Sequence, residues 1–265
     1  MGRPVLTLAG TAAEESGDAM TQTVTQWVRS ETERPFPYVL MYHSVATYSR
    51  DPYLVTVDPQ RFERQLRWLR RNGLRGVSMR ELMQAREEGD ASRLVGLTFD
   101  DGYADFVHNV RPSLEKYGCT ATVFVIAGRL GGHNAWDADG PRKRLVTAEE
   151  VRGIAEAGLE VGSHGMLHQQ MSELDDDELL IEIAESRERL CDLTGQDVGG
   201  FCYPYGDVDL RVRNTVEAAG YDYACAIWRS PVSGRHALPR TYVGDQDGAL
   251  RLLAKRLRHA LTANR

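Results

Sequence analysis

The sequence is poor in the features that would fix its class at a glance. Its four cysteines, Cys119, Cys191, Cys202 and Cys225, are far apart along the chain and form no Cys-x-x-Cys pair. That argues against a disulfide frame or a thiolate zinc cluster and for buried free thiols. A basic excess is missing as well: 32 Lys and Arg stand against 38 Asp and Glu, a net charge of -6. Electrostatics therefore gives no reason to expect nucleic acid or an anionic membrane as partner. No apolar run approaches the roughly 18 to 20 residues of a transmembrane helix. The opening MGRPVLTLAGTAAEESGDAM turns acidic before a signal-peptide core can form, which predicts a cytoplasmic location. No repeat of fixed period is visible. The expected organisation is a polar, disordered lead-in over 1–34 and a single soluble domain over 35–265.

Short apolar runs rich in β-formers alternate with helical patterns from residue 38 onward. The strands are expected at 38–42, 94–99, 120–126, 159–162, 200–203 and 223–227. A helix is predicted over 59–73, where Phe62, Leu66 and Leu69 share a face and Asn72-Gly73 is the stop. A second starts at Thr147, whose spacing to Glu150 is that of a capping box, and ends at Gly158. A third opens on Asp175-Asp176-Asp177, a negative first turn that suits the helix dipole, and runs to Gly195. A fourth covers about 208–219. Strand and helix in regular alternation mean an α/β protein with a mainly parallel sheet. An open dinucleotide-binding sheet would place a Gly-x-Gly-x-x-Gly turn after its first strand. Here His43-Ser44-Val45-Ala46 follows instead, so a closed or partly closed β/α barrel is the better expectation.

Four polar clusters sit directly after expected strands: Tyr42-His43-Ser44, Thr98-Phe99-Asp100-Asp101-Gly102, Ser163-His164-Gly165-Met166-Leu167-His168 and Phe201-Cys202-Tyr203-Pro204-Tyr205-Gly206. All strand C-termini of a parallel barrel open on one face, so the four clusters converge there. His164 and His168 alone are a weak signal, since His-x-x-x-His arises by chance. Asp100-Asp101-Gly102 alone could be a simple Asp-Gly turn. Two adjacent carboxylates at a strand end repel each other, however, unless a metal or a proton shares the site. Two histidines and one carboxylate would leave coordination positions open, as catalytic rather than structural metal chemistry requires.

TFDDGYADF at 98–106, SHGMLH at 163–168 and YPYG at 203–206 resemble the polysaccharide deacetylases of the NodB-homology type, carbohydrate esterase family 4. The similarity spans roughly 38–243 and lies closest to the poly-N-acetylglucosamine deacetylase-like branch. It implies a distorted β/α barrel and a metal-dependent hydrolase that removes an N-acetyl group from an amino sugar or N-acetylated glycan. Carried across residue by residue, it makes Asp100 the general base and Asp101, His164 and His168 the metal ligands. The Tyr205 N–H becomes the oxyanion donor. The implied cofactor is one divalent ion, zinc first, with cobalt, nickel or manganese acceptable to the same donors.

The departures from the family pattern are specific. An arginine customarily precedes x-Pro-Tyr and partners the base; Cys202 stands there, and Arg240 in Leu238-Pro239-Arg240 is the candidate substitute against a plain surface ion pair. Gly165 stands where the family has Ser or Thr. The late Leu-x-x-His that supplies the general acid is absent. A branch of the family draws its acid from an early Tyr-His segment, which nominates His43, with His133 in the loop 131–137 as the reserve. Trp136 in that loop is either a sugar-stacking wall or loop packing. The competing readings are an O-deacetylase, a non-catalytic carbohydrate-binding barrel and a metal-independent amidase. The C-terminal RLLAKRLRHALTANR is expected to be a basic amphipathic helix that packs on the domain, with a peripheral membrane contact as the lesser alternative.

Overall fold

Among the described residues ten short strands, all paired in parallel, carry the architecture. The computed structural model describes residues 35–263; the lead-in over 1–34 falls outside the described residues. The strands are β1 (Val39–Tyr42), β2 (Ser44–Val45), β3 (Thr56–Val57), β4 (Arg75–Val77), β5 (Leu94–Phe99), β6 (Thr122–Val125), β7 (Glu160–Ser163), β8 (Gly200–Cys202), β9 (Tyr223–Cys225) and β10 (Thr241–Tyr242). Eight form one sheet in the order β10-β1-β5-β6-β7-β8-β9, with β4 on the first half of β5; β2 and β3 pair apart. The two ends of the sheet approach each other through residues 238–242. Leu238 N–H donates to Ala224 O, Ala226 N–H to Leu238 O and Arg240 N–H to Ile227 O, while Thr241 is already in register with Leu40. One irregular segment thus closes a distorted β/α barrel, as expected.

The helices are α1 (Pro59–Arg71), α2 (Met79–Glu88), α3 (Arg111–Tyr117), α4 (Ala148–Glu156), α5 (Asp176–Leu180), α6 (Ser186–Thr194), α7 (Leu210–Ala218) and α8 (Ala249–Thr262). Asp58 caps α1 through the N–H groups of Gln60 and Arg61, Pro59 takes the first helical position, and Phe62, Leu66 and Leu69 are buried. The Thr147–Glu150 capping box forms in both directions at the start of α4. The main core lies between sheet and helices, from Leu40, Leu97, Phe99, Val123 and Phe201 to Leu66, Leu114, Ile154, Leu190 and Val212. Alternate strand residues, Val39, Phe124, Cys202, Tyr223 and Cys225, gather inside the curl with Met79, Leu82 and Met83 of α2.

Several boundaries differ from expectation, each for a local reason. The strand expected at 120–126 contracts to β6 because the Thr120 hydroxyl is taken by the N-terminal turn of α2, accepting from Ser78 N–H and donating to Glu81. The strand expected at 223–227 stops at Cys225, where Ala226 and Ile227 turn to the closing segment. The helix expected from Asp175 to Gly195 is interrupted by a π turn at Ile181–Glu185 between α5 and α6. Strands β2, β3, β4 and β10 and helices α2 and α3 are additions. Helix α8 packs by one face, through buried Leu252, the Lys255 ammonium on Asp247 and His259 on Phe36 O. Leu250, Leu253, Leu257 and Leu261 point outward. Among the described residues no helix is long and apolar enough to cross a membrane.

Candidate active site

Asp100 and Asp101 follow the last residue of β5 and reach different partners. Asp101 has φ 69° and Gly102 φ 66°, two successive left-handed residues that reverse the chain. For a non-glycine residue this conformation is costly, and such strain tends to collect at functional sites. Among the described residues only four non-glycines adopt it: Leu54, Asp101, His168 and Tyr205. Three of the four were nominated from the sequence.

The Asp100 carboxylate receives a bidentate grip from Arg240, Nη1 to Oδ1 and Nη2 to Oδ2, both at 2.7 Å. Arg240 stands just before β10, and its side chain is fully buried. It also donates to Thr98 Oγ1 and Ala226 O, each at 3.0 Å, and lies 3.1 Å from Cys202 Sγ. The small thiol at 202 thus borders a guanidinium that arrives from another strand. Burial works to raise the Asp100 carboxyl, and the Arg240 charge and hydrogen bonds overcome it, so the group sits below the usual carboxylate range.

Asp101 Oδ1 is 3.3 Å from His164 Nε2 and 3.3 Å from His168 Nε2, and all three residues are buried. Burial raises this carboxyl too, but the two imidazoles hold it well below the ordinary range. The spacing suits a metal: a tetrahedral ion with bonds of about 2.0–2.1 Å separates its ligand atoms by about 3.3 Å. His164 is oriented by Cys202 O, 2.7 Å from its Nδ1, which leaves Nε2 for the Asp101 side. His168 Nδ1 is buried with no hydrogen-bond partner. Asp100, His164 and Cys202 also cluster, but both Asp100 oxygens already meet Arg240. Burial pushes the Cys202 thiol up to about 11, which disfavours the thiolate that metal ligation requires.

The His168 ring is sandwiched. Trp136 stacks on it at 4.4 Å between centroids and 27°, and Tyr205 meets it edge-on at 4.6 Å. The two aromatics line an open depression of about 620 Å³ with Arg129, Leu167 and Gln170. Tyr205, half exposed, sits at φ 59° in the Pro204–Gly206 turn. His43 Nε2 lies 3.9 Å from Asp100 Oδ2, and its Nδ1 is buried without a partner. His133 stands in the 131–137 loop with Nδ1 3.2 Å from Arg142 Nη2. The structure therefore gathers Asp100, Asp101, His164, His168, Arg240 and His43, with Trp136 and Tyr205 on the rim.

Three contributors escaped the sequence reading. Thr98 helps seat Arg240, and its signal was its place two residues before Asp100. Tyr103 donates from its hydroxyl to Asp137 at 3.2 Å, joining the aspartate turn to the Trp136 loop. Glu182 explains Gly165: that residue has φ 78°, and a Cβ there would come within 2.6 Å of Glu182 Oε2. A serine or threonine at 165 would be strained and would collide with a buried carboxylate.

A family model for polysaccharide deacetylase matches residues 87–224, just over half of the chain. The match includes the aspartate pair, both histidines and Tyr205, and leaves out His43 and Arg240. The Bacillus subtilis protein YxkH is 28% identical over 222 residues, covering 82% of this chain and 74% of that protein. The Staphylococcus aureus poly-beta-1,6-N-acetyl-D-glucosamine N-deacetylase is 23% identical over 203 residues, 72% of this chain and 68% of that protein. Among solved structures, the Streptococcus pyogenes deacetylase PplD in complex with acetate superposes with a TM-score of 0.72 at 24% identity, covering 84% of this chain and 99% of that one. That likeness bears on the fold.

Proposed function

The chain belongs to the polysaccharide deacetylase family, and from that premise we propose that it is a metal-dependent hydrolase removing the N-acetyl group from an amino sugar or N-acetylated glycan. The observation that carries this reading is the Asp101–His164–His168 group, with 3.3 Å spacings, beside an arginine-held carboxylate. Asp101 Oδ1, His164 Nε2 and His168 Nε2 would hold one divalent ion, zinc first. Such an ion supplies Lewis acidity toward a carbonyl oxygen and toward water.

The chain's own groups divide the remaining work. Asp100, kept ionised by Arg240, takes the proton of the attacking water. Each of its oxygens retains a second lone pair after the arginine contact. The Tyr205 N–H donates to the developing oxyanion, a role commonly worth about 2.7–4 kcal/mol. His43, 3.9 Å from Asp100, protonates the departing amine. Trp136 and Tyr205 flank the acetylated sugar and exclude water from His168. The substrate named for the S. aureus relative favours a poly-N-acetylglucosamine type of chain.

Acetate release from N-acetylglucosamine oligomers, measured beside an O-acetylated oligosaccharide, tests the reading. Release from the N-acetylated oligomers that stops with a chelator and returns with zinc is the expected result. Release from the O-acetylated substrate alone would make the protein an esterase. Release from neither, with metal restored, would leave a binding barrel.

A further inference from the structure

The segment between the two histidines is an irregular turn in which every backbone polar group is held from outside. Gly165 N–H donates to Ser163 Oγ and Gly165 O accepts from Ala127 N–H. Met166 O accepts from Gly128 N–H at 2.8 Å. Leu167 O accepts from Arg129 Nε at 2.9 Å. The two remaining donors, the Met166 and Leu167 N–H groups, both point at Glu182, which accepts from Met166 at 2.9 Å on Oε2 and from Leu167 at 2.9 Å on Oε1. Glu182 is 1% exposed and lies 15 or more residues from its partners. The turn is packed closely on both sides: a Cβ at Gly128 would approach Met166 O to 2.5 Å, and one at Gly165, within the turn, would approach Glu182 Oε2 to 2.6 Å.

A buried carboxylate is expensive unless charge or hydrogen bonds satisfy it. The helix also departs from α geometry where Glu182 sits, in the π turn Ile181–Glu185, and such widened turns recur at functional sites. What Glu182 holds is the backbone immediately before His168, whose φ of 66° is itself strained. We propose that Glu182 is a positioning residue for metal binding. By fixing two successive N–H groups it keeps His168 in its left-handed conformation and sets the separation of the two imidazoles. Arg129 supports the same turn from its outer side, through Leu167 O and over the Trp136 ring at 5.9 Å. The free energy of strain at His168 is offset by these bonds before any ion arrives, which is what preorganisation of a ligand pair means.

This inference rests on the metal-dependent reading, and the test separates the two. Zinc affinity is measured by competition with a chromophoric chelator, alongside the melting temperature of the metal-free protein, for the parent, Glu182→Gln and Arg129→Ala. Glutamine keeps the size but faces one of the two N–H groups with an NH2. Affinity should fall roughly 10–100-fold in Glu182→Gln, the range typical for groups that orient metal ligands. Arg129→Ala, a half-buried change that spares the interior, should lower it by less. Glu182→Gln and Arg129→Ala both binding zinc within about twofold of the parent would overturn the assignment. So would a Glu182→Gln protein that melts earlier but binds zinc as the parent does, because that is the signature of a purely structural residue. A parent that takes up no zinc would overturn the functional reading instead.

Discussion

Two buried carboxylates mark the two ends of the barrel, and they are satisfied in opposite ways. Glu160, the first residue of β7, accepts from the Thr122 hydroxyl at 2.6 Å, the Tyr223 hydroxyl at 2.9 Å and Arg80 N–H at 2.8 Å. Its ion pair with the Arg80 side chain is loose, at 3.9 Å. Asp100, just past the end of β5, has one dominant partner, the bidentate Arg240, and otherwise faces His43 and the Asp101–histidine group. Glu160 is saturated by fixed neutral donors and ties α2, β6, β7 and β9 together. Asp100 is held firmly in charge and position while lone pairs remain available toward the open face. In parallel barrels chemistry collects at the C-terminal ends of strands and stability at the other end, and the bonding of these two groups shows how that division is built.

The comparison predicts that the two groups fail differently. Asp100→Asn should lower kcat by about 10³-fold, within the range for loss of a general base, with zinc uptake close to the parent and a lower melting temperature, because the fully buried Arg240 loses its counter-charge. A variant that keeps its turnover would move the base elsewhere. Glu160→Ala orphans two buried hydroxyl donors, those of Thr122 and Tyr223, each worth about 1–3 kcal/mol when left unsatisfied, and the part-buried Arg80 N–H. Denaturant unfolding should show a loss of about 3 kcal/mol, while kcat per folded molecule stays unchanged. If activity falls and stability holds, the division between the ends is wrong. His43→Ala sharpens the open end further. Amine departure needs a proton more than alcohol departure does, so amide hydrolysis should drop by about 10²-fold and ester hydrolysis by clearly less. Equal losses on both substrates would remove His43 from the acid role.

Much of this division was legible in the sequence, for a physical reason. Strand ends and capped helices are local signals. Leu94–Phe99 followed by Asp100-Asp101-Gly102, and Thr147 spaced to Glu150, announce themselves within a few residues. Parallel-barrel topology then converts sequence position into spatial convergence. What stayed hidden was non-local. Arg240 was nominated as the substitute for the missing motif arginine, but the path by which the closing segment 238–242 brings it onto Asp100 across 140 residues has no local signal. The Cys202 departure became intelligible only once that guanidinium was seen beside its sulfur. Glu182 was masked by company: in a run as acidic as DDDELLIEIAESRER, nothing distinguishes one buried carboxylate from its solvated neighbours except the isoleucines on either side. The π turn that aims it has no sequence signature at all. Strand β4 has three residues, too few for a period, and α2 went unseen although Ser78 caps it through Glu81 N–H.

The measurement closest to the central claim is metal stoichiometry of the purified protein beside Asp101→Ala, His164→Ala and Glu160→Gln. The account predicts about one equivalent of divalent ion in the parent and in Glu160→Gln, and none in Asp101→Ala or His164→Ala. A parent that binds no ion after divalent metals are restored, or full binding in both ligand variants, would contradict it.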